Sequence, residues 1–123
     1  MNVDVQTSDC EKLEILEHQA VHALRIHQVW RATVRALTAA DGRTPPAHVS
    51  ERACEIDMWL RLGLHPAFRG LPLYEQTLQA HAAFHRALAA LYADRSASSR
   101  EVAMSATILK DCLEDWLTLA RRR

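Results

Sequence analysis

The three glycines and four prolines of the chain are confined to two short windows. One is Asp41-Gly42-Arg43-Thr44-Pro45-Pro46; the other runs from Gly63 to Pro72 and includes Pro66 and Gly70. Gly and Pro interrupt regular backbone more reliably than any other residues, so these windows are where elements end. A third break is compositional, at Asp94-Arg95-Ser96-Ala97-Ser98-Ser99. Four segments remain, each long enough for a helix, and none alternates with the period of a strand. The expectation is an all-α protein, an antiparallel four-helix bundle with short connecting loops.

The first segment places Leu13, Leu16, Ala20, Ala23, His27, Trp30, Val34 and Leu37 at steps of three and four, one face of a helix of about 30 residues. Asp9, Glu11, Glu14 and Glu17 load its start and Arg25, Arg31 and Arg35 its end, the order a helix dipole favours. The second segment follows Pro46, with Ser50 as the expected N-cap, and runs through Cys54, Ile56 and Leu60 to a stop near Gly63. The third starts near Pro72 and carries Tyr74, Leu78, His81, His85, Leu88 and Tyr92 inward. The fourth opens with a capping box, Ser98 and Glu101, and presents Val102, Ser105, Leu109, Cys112, Trp116 and Leu119.

The 123 residues suffice for one domain, 1–123 with its core over about 10–120, that needs no disulfide staples. Fifteen basic residues balance fifteen acidic ones, and the one like-charge run, Arg121, Arg122 and Arg123, suits a helix end. Neither nucleic acid nor a membrane surface is therefore an expected partner. Asp4 and Asp9 stand where a secretory signal would be basic and apolar, and no run approaches the roughly 18 apolar residues of a membrane span, so a cytoplasmic location is expected. Three widely spaced cysteines, Cys10, Cys54 and Cys112, fit reduced thiols better than a disulfide framework.

The sharpest chemical signal is His81-Ala-Ala-Phe-His85, because a spacing of four stacks two imidazoles one turn apart on one helix face, where they can share a metal ion. Both rings fall on an inward stripe, as does His27. Buried imidazoles need partners for their ring nitrogens. A metal would supply them, and Cys54 would complete a three-histidine, one-cysteine set typical of closed zinc sites, whereas calcium or magnesium would need oxygen donors. Core histidines bonded to backbone or water remain the competing explanation.

These residues also carry a resemblance. His27-Gln-Val-Trp30, Cys54-Glu-Ile-Asp-Met-Trp59 and His81-Ala-Ala-Phe-His85 resemble, in order and separation, the three motifs of the bacterial chemoreceptor zinc-binding (CZB) domain, and the resemblance covers nearly the whole chain. It implies that His27, Cys54, His81 and His85 ligate Zn2+. Where that family usually has a glycine within the cysteine motif, this chain has Asp57. The resemblance further implies a regulatory sensor of zinc or of oxidants such as hypochlorous acid, not an enzyme, which works with a chemoreceptor or a diguanylate cyclase. With the chain committed to the bundle, a signal is expected to leave through such a partner or through a homodimer. A second apolar strip on the first helix, Ile15, His22, Ile26 and Val29, offers a dimer surface, unless it packs on the second and fourth helices of its own chain.

Other residues are weighed differently. His18 and His22 should face solvent, His48 and His65 lie in breaks, and Cys112 reads as a small core residue. Trp30, Trp59 and Trp116 read as packing anchors, with Trp30 and Trp59 as candidate walls of the metal pocket. Two rival functions remain: a metal-dependent helical-bundle enzyme, which would need an open coordination position that Cys54 closes, and a metal-free helical adaptor.

Overall fold

In the computed structural model, the residues described are 3–39, 54–93 and 99–122, with the first-helix side chains described for 9–32. Among them the regular structure is all helical: α1 (Val3–Ala39), α2 (Glu55–Met58) running into a π-helical turn (Trp59–Gly63), a 3-10 turn (Pro66–Phe68), α3 (Pro72–Ala93) and α4 (Ser99–Ala120). Ser50, His48 and the break around Gly42 lie outside the described residues, as do Ser98 and the side chains of Val34, Leu37 and Tyr92. No described helix is long and apolar enough to cross a membrane.

At 37 residues, α1 is longer than the stripe alone predicts. No Gly or Pro interrupts its first residues. Its buried residues are Leu16, Ala20, Ala23, His27 and Trp30, the expected steps of four and three. On α4 the buried face is Val102, Ala106, Leu109, Cys112, Leu113, Trp116 and Ala120, while Ser105 and Leu119 are half-buried. That face is broader than a single stripe because α4 packs along both α1 and α3. The Trp116 indole donates to Thr77 Oγ1 at 2.9 Å, and that hydroxyl donates to the Leu73 carbonyl at 2.6 Å, so a buried polar link joins α3 to α4. Arg121 and Glu17, 3.0 Å apart, join the end of α4 to α1.

The short second segment differs from the sequence expectation. Cys54 has extended backbone (φ −82°, ψ 135°) and precedes α2 as its N-cap, not within a helix begun at Ser50. Three side chains fix this segment through hydrogen bonds. Gln19 of α1 accepts the Trp59 indole N–H at 3.0 Å and donates to the Gly63 carbonyl at 3.1 Å. The Tyr74 hydroxyl of α3 donates to the Leu60 carbonyl at 3.2 Å. Arg69 donates to the carbonyls of Arg61 and Leu64, both at 3.0 Å, and so satisfies the end of the π turn. Trp59 and Phe68 close edge-on around Trp116, at 6.2 and 6.3 Å between ring centroids.

Candidate metal centre

α3 carries His81 and His85 one turn apart, both buried, with their rings 4.7 Å apart and nearly perpendicular. The N-cap position of α2 brings buried Cys54 to the same place. The donor atoms of Cys54, His81 and His85 all lie within 4.8 Å of one another. A tetrahedral zinc ion with bonds of roughly 2.0–2.3 Å sets its donors roughly 3.3–3.8 Å apart, a separation that lies inside that limit. This buried group could hold a metal ion.

His27 is placed in the same core but outside that 4.8 Å set. Its ring is 1% exposed and meets Phe84 edge-on at 5.8 Å, and neither ring nitrogen has a hydrogen-bond partner. The Ala106 carbonyl faces it and favours its protonated form slightly, without reaching hydrogen-bond geometry. His81 Nε2 is likewise without a partner. An unsatisfied buried polar atom costs roughly 1–3 kcal/mol, so the lone-pair nitrogen of each neutral ring calls for an electrophile.

The electrostatics suit a cation's ligands. Burial, then the charge of Arg31, pushes His27 down from 6.5 to about 4. Burial, then the neighbouring His85, does the same to His81. Both imidazoles are neutral near pH 7, the state in which they ligate. Burial pushes the Cys54 thiol up from its ordinary 9.0, opposed by the Ile56 and Asp57 backbone N–H groups that face its sulfur and by the Trp30 indole. Trp30 also packs edge-on against His85 at 5.1 Å, so one residue walls the pocket and donates toward its sulfur. Its place three residues after His27 signalled the wall but not the donor role.

Asp57 was legible only as a departure from a motif. It is 3% exposed, and its Oδ2 accepts from Arg61 Nε at 2.6 Å. Cys112 is buried beside Thr77, away from this group, and burial raises its thiol too. His18 and His22 are exposed, with His22 3.7 Å from Glu55, and His65 caps the 3-10 turn by accepting from the Ala67 N–H at 3.0 Å. The residues therefore fit a metal: orphaned nitrogens, a converging sulfur, and donors of the nitrogen–sulfur class that zinc takes. No protein-family profile matches the chain, and no curated protein or solved structure is significantly similar to it.

Proposed function

We propose that this protein is a zinc-binding regulatory module, not an enzyme, in which Cys54, His81, His85 and His27 hold Zn2+ within an antiparallel four-helix bundle. The observation that carries the reading is the meeting of one buried sulfur and two buried imidazoles within 4.8 Å, beside a third imidazole with neither nitrogen partnered. When bound, zinc supplies a structural clamp joining α1, α2 and α3, and four protein donors leave no coordination position for a substrate. The resemblance to chemoreceptor zinc-binding domains supports the same reading.

The residues suggest how such a module responds. Cys54 stands at the N-cap of a four-residue helix, the shortest of the α-helices that supply donors. A ligating cysteine is a thiolate and thus the donor most open to oxidation. Oxidation of Cys54 to a sulfenic acid by an oxidant such as hypochlorous acid, itself reduced to chloride, weakens the sulfur's bond to the metal and releases α2, whereas loss of zinc frees all the donors. Either change would be passed to a chemoreceptor or diguanylate cyclase partner, or across a homodimer. Ile15 and Val29, 56% and 66% exposed on α1, are available for the homodimer face.

Metal analysis of protein purified without added zinc tests the reading. Wild type retains about one zinc per chain, Cys54→Ala keeps its helices but binds zinc more weakly, and the double variant His81→Ala, His85→Ala binds none. Equal metal content in all three defeats the assignment.

A further inference from the structure

Among the described residues, Asp57 is the one buried carboxylate. A buried carboxylate is costly unless a cation compensates it. Its partner Arg61 bonds it at 2.6 Å, but from a side chain that is 38% exposed and can keep its own charge in water without Asp57. The position of Asp57 matters more than this ion pair. It lies three residues after Cys54, in the first turn of α2, and its negative charge reaches both the Cys54 sulfur and the His81 ring.

The charge of the loaded site supplies a reason for the burial. A divalent cation held by one thiolate and neutral imidazoles leaves one uncompensated positive charge in the core. Arg31 from α1 and Lys110 from α4 add positive charge on the His27 side, and Arg61 adds it on the α2 side. Asp57 supplies the opposing negative charge. Its carboxylate falls outside the 4.8 Å donor group and, unlike the unpartnered His27 ring, is already bonded to Arg61 at 2.6 Å, so it acts beside the donors and not as one of them.

We propose that Asp57 is the buried counter-charge of the metal centre, a positioning carboxylate that strengthens divalent-cation binding and that Arg61 holds in place while the site is empty. This rests on the zinc-binding reading above. It assigns opposite roles to the two members of one ion pair: Asp57 favours the metal, and Arg61 competes with the metal for Asp57. An ion pair that merely staples α2 would give both residues the same role.

Competition titrations with a chromophoric chelator test this, using zinc and, for its ligand-field spectrum, cobalt(II). Wild type, Asp57→Asn and Arg61→Gln are compared, with circular dichroism and thermal melting of each metal-free form. Asp57→Asn should weaken zinc binding by about 10- to 100-fold, the usual effect of removing a group that supports metal ligands, while the cobalt spectrum keeps its shape because the donors are unchanged. Arg61→Gln should bind zinc at least as tightly as wild type. The proposal is overturned if Asp57→Asn binds like wild type, or if Arg61→Gln weakens binding. Should Asp57→Asn fail to fold, the direction of the Arg61→Gln effect decides alone. A wild-type protein that takes up no zinc refutes the metal reading itself, a different result from a wild type that binds and an Asp57→Asn that binds equally.

Discussion

At the scale of single residues, two buried imidazoles with pKa values lowered to about 4 set the pH response of the metal-free protein. Their unfolded-state value is about 6.5, so between about pH 6.5 and 4 the unfolded chain binds more protons than the folded one. Stability is therefore unaffected by these groups above about pH 6.5 and falls as the pH drops toward 4, by on the order of 1–3 kcal/mol for each ring. Urea unfolding of metal-free protein at pH 7.5, 6 and 5 checks this, and His27→Gln should flatten the dependence. Cys54 behaves oppositely on metal uptake. Because burial keeps its thiol protonated near neutral pH, loading at pH 7 should release about one proton per metal from Cys54, with none from His27 or His81. Calorimetry in two buffers of different ionisation enthalpy measures that number.

At the scale of elements, the segment that delivers Cys54 is held by hydrogen bonds of Gln19, Tyr74 and Arg69, and Gln19 makes two of them. Gln19→Ala removes an acceptor from Trp59 and a donor to Gly63, at a cost of about 1–2 kcal/mol. Hydrogen exchange should rise over residues 55–63 and leave α4 protected. The α3–α4 contact is more deeply buried. Thr77→Val strands the Trp116 indole N–H in a fully buried position and should cost about 1–3 kcal/mol of global stability, read from urea midpoints, without changing metal affinity. These two variants separate the stability of the scaffold from the placement of the sulfur donor.

On the scale of the whole molecule, much of the arrangement was legible in the sequence because its signals are local. The steps of three and four in α1 reproduce its buried face, and the spacing of His81 and His85 places both rings in the core. What was not legible depends on neighbours far along the chain. The extended backbone of Cys54 reflects its docking between α1 and α3, the breadth of the α4 face reflects two partners, and the burial of Asp57 could not be read from three residues of spacing. The placement of His27, inside the core but outside the 4.8 Å donor group, likewise depends on how closely α1 approaches α3.

Zinc binding should couple these separate elements. A metal present at about 1,000 times its dissociation constant stabilises the folded state by about 4 kcal/mol, so a strong chelator should lower the melting temperature of wild type and leave the double variant His81→Ala, His85→Ala unmoved. The most direct test is X-ray absorption at the zinc edge of protein loaded with one equivalent of zinc. The expected first shell is one sulfur at about 2.3 Å and three imidazole nitrogens at about 2.0–2.1 Å, with the sulfur lost in Cys54→Ala. A first shell of nitrogen and oxygen alone in the wild type would contradict it.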